Sequence, residues 1–137
     1  MNYNKLNNLV GWIVFLIATT VYFITIEDTV SLWDCGEYIT AAYKLEVGHP
    51  PGAPLFMLFG RIFSFFAEPE MVAVWINRMS ALSSSFTVLF MFWSITMLTK
   101  KIAQRTGRAF VKADQIAVLG AGAVGALAYA FSDSFWF

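Results

Sequence analysis

Leu6–Ile26 reads LNNLVGWIVFLIATTVYFITI, 21 residues without a charge between Lys5 and Glu27. Two more such runs follow: Met79–Thr99 (MSALSSSFTVLFMFWSITMLT) between Arg78 and Lys100, and Gln115–Ser132 (QIAVLGAGAVGALAYAFS) between Asp114 and Asp133. At a helical rise of about 1.5 Å per residue, each covers or nearly covers the ~30 Å hydrocarbon layer of a bilayer. Within that layer only a helix satisfies its own backbone, so the three runs predict three transmembrane helices, at about 9–26, 78–99 and 115–132. A cleaved signal peptide is the competing reading of the first run. That run is longer than an h-region of about 7–15 residues, and no A-x-A site follows it before Glu27.

Composition points the same way. Of 137 residues, 58% are hydrophobic and 13% charged, against roughly 45–50% and 25% in soluble domains. So small a globule could not bury that much apolar surface. Nine basic residues balance nine acidic ones, which excludes a nucleic-acid-binding arm. A single cysteine, Cys35, leaves no internal disulfide and no CxxC zinc cluster; it reads as a small packing residue.

Charge placement supplies an orientation. The stretch 27–77 carries Glu27, Asp28, Asp34, Glu37, Glu46, Glu68 and Glu70, whereas 100–114 carries Lys100, Lys101, Arg105, Arg108 and Lys112. By the positive-inside bias the basic loop and the N terminus are cytoplasmic and the acidic stretch external. Ala53–Ala67 (APLFMLFGRIFSFFA) is apolar too, but it is short for a span and carries Arg61 near its centre. Led in by Pro50, Pro51 and Pro54, it reads as an interfacial or re-entrant helix at about 54–66, with another short helix at about 34–46. The fold class expected is therefore an all-α membrane protein, three spans with short interfacial helices in the first external loop. Three spans enclose little on their own, and the reading is of the N-terminal portion of a larger polytopic domain.

That external loop holds the groups capable of chemistry. Asp34 and Glu37 are three residues apart, so on a helix their carboxylates share a face. Paired carboxylates at a low-dielectric surface suit general-base work. The same Asp-x-x-Glu spacing is also that of an N-cap and capping box. His49, the only histidine, opens a stiff His-Pro-Pro turn; a metal site there would have to recruit carboxylates such as Glu46 or residues beyond this stretch of chain. Arg61 and Arg78 could hold an anionic lipid phosphate, and Lys44 could pair with a neighbouring acid. In the third run Gly120, Gly122 and Gly125 have G-x-G-x-x-G spacing. Only twelve residues follow Gly125, too few for a dinucleotide-binding unit, and close helix packing in lipid accounts for the small residues.

The strings WDCGEYITAAYKLEVGHPPGAPLF (33–56) and NRMSALSSSFTVLFMF (77–92), in this order after one span, resemble membrane-embedded GT-C glycosyltransferases, in particular bacterial protein O-mannosyltransferase-like proteins. The resemblance covers nearly the whole chain. It implies a sugar passed with inversion from a polyprenyl-phosphate donor to a hydroxyl of protein Ser/Thr or a glycan, on the external face of the bacterial inner (cytoplasmic) membrane. It implies Asp34 as catalytic base, Glu37 as the second acid of the motif and His49 as a site-forming residue. The family commonly has adjacent Asp-Glu, whereas Cys35 and Gly36 intervene here, so the base is one of two acids. No cofactor is implied, and a divalent metal is left open. Partners would be membrane lipid, the lipid-linked sugar and the acceptor, with no nucleic acid. The rival classes are a non-catalytic polytopic subunit and a transporter segment; the latter predicts ionisable groups inside the spans, and the three runs contain none.

Overall fold

A computed structural model of the chain describes residues 2–30, 33–105 and 109–136. Arg108 of the basic loop lies outside them. The described elements are α1 (Tyr3–Ile24), α2 (Cys35–Lys44), α3 (Pro54–Ser64), a 3₁₀ turn (Pro69–Met71), α4 (Val72–Arg105), α5 (Lys112–Ala130) and α6 (Asp133–Trp136), with no strand among the described residues. Three helices are long and apolar enough to cross a membrane: α1, α4 with its leading 3₁₀ turn, and α5. The chain is thus an all-helical, multi-pass membrane protein. α3, of 11 residues, is about 16 Å long, half the hydrocarbon thickness, and is not a fourth span.

Helix ends differ from the charge-free windows. α4 starts six residues before Arg78, through the mostly apolar VAVWIN, and runs six past Thr99 through KKIAQR, since charged residues continue a helix readily once it leaves the hydrocarbon. Pro69 opens the 3₁₀ turn and Pro54 the first turn of α3, where a missing N–H costs nothing. At α5 the Asp114 carboxylate accepts the Val111 N–H at 3.0 Å, a first-turn acid facing orphan donors.

The chain divides into two compact units, Met1–Val21 with Ser84–Phe137, and Tyr22–Ser83. In the first, Phe92, Leu89, Val88, Ser85 and Thr96 of α4 are buried. Gly122 is where α5 meets them: a Cβ there would lie 2.5 Å from Thr96 Cγ2 and 3.1 Å from Phe92 Cε2. Gly125 faces Ile95 at 3.0 Å, while a Cβ on Gly120 would meet nothing within 4 Å. Gly122 and Gly125 serve helix approach, as expected in lipid, whereas Gly120 faces open space.

The second unit is built on a small core of Ile39, Ala41, Ala42, Met57, Val72, Ile76 and Met79 from α2, α3 and the start of α4. Its tightest point is Gly60 of α3, where an added Cβ would come 2.8 Å from Ala42 Cβ. The opposite face of α3 presents Leu55, Leu58, Phe59 and Ile62 to the surroundings, continued by Phe65 and Phe66 just past its end. That helical stripe of bare apolar side chains is unfavourable in water and suits lipid.

Candidate functional site

The site grows from the way α2 begins and ends. Asp34 is the N-cap residue, yet its side chain makes no capping hydrogen bond. The capping-box reading of Asp34 and Glu37 is therefore not what forms. At the other end Leu45 takes the left-handed conformation (φ 56°), and the Glu46 N–H reaches the Ala41 carbonyl at 2.9 Å, which closes the helix and reverses the chain. The returning segment passes beside the first turn of α2. The Gly52 N–H donates to the His49 carbonyl at 3.0 Å, closing a turn through Pro50 and Pro51.

This return brings His49 onto the Asp34 and Glu37 pair. The Glu37 carboxylate accepts the His49 backbone N–H through Oε1 at 2.7 Å, and Oε2 lies 2.8 Å from His49 Nδ1. His49 Nε2, on the far side of the ring, lies 3.8 Å from Asp34 Oδ2. One donor atom from each of Asp34, Glu37 and His49 falls within 4.8 Å of the others. Gly48 makes room for the carboxylate, since a Cβ there would lie 3.1 Å from Glu37 Oε1; its place in GHPPG is the one signal in the sequence that points to it.

Hydrogen bonds to the charged form stabilise that form. The His49 backbone N–H and then the His49 ring hold the Glu37 carboxyl below its usual range. Glu37, and to a lesser extent Asp34, raise the His49 imidazole above 6.5. All three side chains are solvent-accessible. Asp34 also borders an open groove of about 340 Å³ lined by Trp33, Cys35, Tyr38, Ile39, Phe56, Asn77 and Ser80. Its walls are mostly apolar, with Tyr38 and Phe56 edge to face at 5.5 Å, and Asn77 is fixed by donating to the Glu27 and Thr29 carbonyls. Cys35, read as a packing residue, is instead exposed here.

The cations lie elsewhere. Arg61 donates through Nη1 to the Tyr43 carbonyl in the last turn of α2, and its guanidinium sits 4.6 Å from the Phe65 ring centroid and 5.5 Å from that of Tyr43. It ties α3 to the negative end of the α2 dipole. Arg78 stacks over Trp75 at 5.3 Å. Among the described residues, no Lys or Arg is ion-paired with Asp34 or Glu37, and Lys44 stands in the last turn of α2.

Fold and site define a class: a polytopic helical membrane protein whose inter-span loop holds a carboxylate–imidazole–carboxylate cluster beside an apolar groove. The family described as Protein O-mannosyl-transferase TMEM260 N-terminal domain matches residues 34–137, and the chain belongs to that family. It is 35% identical over 85 residues to Protein O-mannosyl-transferase tmem260 of Dictyostelium discoideum, a match covering 61% of this chain and 10% of the relative. It is 31% identical over 86 residues to Protein O-mannosyl-transferase TMEM260 of Mus musculus, covering 63% of this chain and 12% of the relative. The match thus spans about a tenth of the length of these relatives. No solved structure matches the chain.

Proposed function

We propose that this chain forms the N-terminal part of a GT-C-type membrane glycosyltransferase, and that Asp34 is its general base. The sugar, taken as mannose from the names of the relatives, passes from a polyprenyl phosphate to a hydroxyl of protein Ser/Thr or a glycan. The loop between α1 and α4 faces outward and the N terminus inward, as the charge bias suggests. The membrane proposed is the bacterial cytoplasmic membrane, a placement to which the eukaryotic relatives add nothing.

The observation that carries the reading is the asymmetry of the two acids. Both Glu37 oxygens are engaged by His49 at 2.7 and 2.8 Å, which makes that carboxylate a poor proton acceptor. Asp34 makes one 3.8 Å approach to His49 and borders the groove. An acceptor hydroxyl seated there gives its proton to an Asp34 oxygen as its own oxygen attacks the anomeric carbon from the side opposite the phosphate. The C–O bond to phosphate breaks with inversion, and its electron pair leaves on the phosphate. Glu37 and His49 are positioning residues that hold Asp34 and the loop. Arg78, half-buried over Trp75, is the proposed phosphate contact, whereas Arg61 is committed to the Tyr43 carbonyl. Most of the rate comes from holding two substrates at one depth.

Asp34→Asn in the protein at its full natural length tests this, using labelled donor lipid and acceptor in purified membranes. Loss of a general base is expected to slow transfer about 10²–10⁴-fold. Transfer at the normal rate would remove the base assignment.

A further inference from the structure

We propose that His49 Nε2 and the Asp34 carboxylate form a site for one divalent transition-metal ion, zinc by donor chemistry, with Glu37 orienting the imidazole. This inference shares Asp34 with the transfer reading: the ion would take one carboxylate oxygen and leave the other to receive the acceptor's proton. A metal-ligating histidine almost always gives its other ring N–H to a carboxylate or carbonyl, which fixes tautomer and ring orientation. Here Glu37 Oε2 lies 2.8 Å from Nδ1 and Oε1 accepts the backbone N–H of the same residue. The ring is held at Nδ1 and its backbone at the N–H, and Nε2 lies 3.8 Å from Asp34 Oδ2. Two ligands about 2.0–2.2 Å from a shared zinc ion stand some 3.3–3.8 Å apart, so the pair needs little movement to close on an ion. One nitrogen and carboxylate oxygen favour zinc over magnesium or calcium, which select all-oxygen shells.

Charge argues the same way. Asp34 and Glu37 lie within one 4.8 Å cluster, and among the described residues no Lys or Arg neutralises them. Arg61, the nearest candidate by sequence, is spent on the Tyr43 carbonyl. A bound dication would balance the two acids. With two protein ligands here, one fewer than the three of a catalytic zinc, it would keep positions open for water, an anionic oxygen or a further protein ligand. Glu46, the carboxylate expected from sequence to assist His49, is not in the cluster.

The test uses tag-free, full-length protein in detergent, titrated with Zn²⁺ alone against a chromogenic chelator, without donor or acceptor. One equivalent per chain is expected. His49→Ala and His49→Gln should both abolish it, although glutamine can still donate to Glu37. Glu37→Gln should weaken binding about 10–100-fold, as second-shell changes do, and Glu68→Gln should leave it unchanged. Cobalt(II) in place of zinc should give a visible spectrum that His49→Gln removes. Absence of a stoichiometric site, or a site indifferent to His49, overturns the proposal. If Zn²⁺ binds while Asp34→Asn leaves transfer intact, the metal site stands and the base assignment fails. If no Zn²⁺ binds while Asp34→Asn abolishes transfer, the reverse holds.

Discussion

Gly60→Ala is the sharpest perturbation of the unit that carries the site. The new methyl carbon would lie 2.8 Å from the buried Cβ of Ala42 and 3.8 Å from two carbons of Ile76. Ordinary carbon contacts are about 3.5–4.0 Å, so only the Ala42 contact is prohibitive. Both atoms are fixed to helix backbones, neither can rotate away, and α2 and α3 must separate locally by roughly 1 Å. Overpacking of this kind costs about 1–3 kcal/mol. Replacing glycine within a helix returns at most about 1 kcal/mol, so the clash sets the sign, for a net loss of up to about 2 kcal/mol. The measurement is unfolding of the purified protein in mild detergent, read as the difference from wild type. Ala42→Gly supplies the control. Alone it should cost about 1 kcal/mol of helix propensity; combined with Gly60→Ala it should restore much of the lost stability, a coupling of order 1–3 kcal/mol between touching residues. Two additive losses, or a Gly60→Ala protein more stable than wild type, would refute this account of α2–α3 packing.

Two further outcomes follow from the site and its loop. His49, the only histidine of residues 1–137, gives an NMR titration identified by its loss in His49→Gln; the midpoint should lie above 6.5 and return toward 6.5 in Glu37→Gln. A raised histidine stabilises below 6.5 and loses its contribution as pH rises through its folded value, while the lowered Glu37 contributes above 4.5 and loses as pH falls. The Glu37–His49 contact is therefore fully formed between about pH 4.5 and 6.5, and a midpoint at or below 6.5 would contradict the geometry. Cys35, exposed in the loop, should react with a membrane-impermeant maleimide from outside intact cells; Gln104→Cys in a Cys35→Ser background should react only after the membrane is opened. Labelling of both from one side would reverse or abolish the proposed orientation.

The spans were readable because a bilayer imposes one requirement, a run of about twenty residues without charge, that a sequence displays directly. The limits of the helices were not, since no such requirement acts outside the hydrocarbon. α4 accordingly begins at Val72, within a segment that still carries Arg78. α3 was readable from Pro54 and the apolar run behind it, and its short length settles its inability to cross. Asp34 and Glu37 were visible as a pair, but their spacing fits both a capping box and a shared catalytic face. What separates those readings is non-local: a residue twelve positions away returns and takes both Glu37 oxygens. Gly48 and Gly60 were invisible for the same reason, as each matters only through a neighbour from another segment.

The two helix ends of α2 explain why the acids differ. At its start Asp34 has the N-cap position without the N-cap bond, so its carboxylate is not consumed by the helix. At its end Arg61 and the Leu45 reversal absorb the orphan carbonyl side, and that reversal aims the chain back at Glu37. Lengthening α2 past Leu45 would carry Gly48 and His49 away from its first turn, and both acids would then be ordinary solvated carboxylates. The difference between Asp34 and Glu37 is thus set where the helix stops. On this argument, single substitutions at Leu45 or Arg61, neither of which touches Asp34, would act on the proposed chemistry by loosening His49 from Glu37.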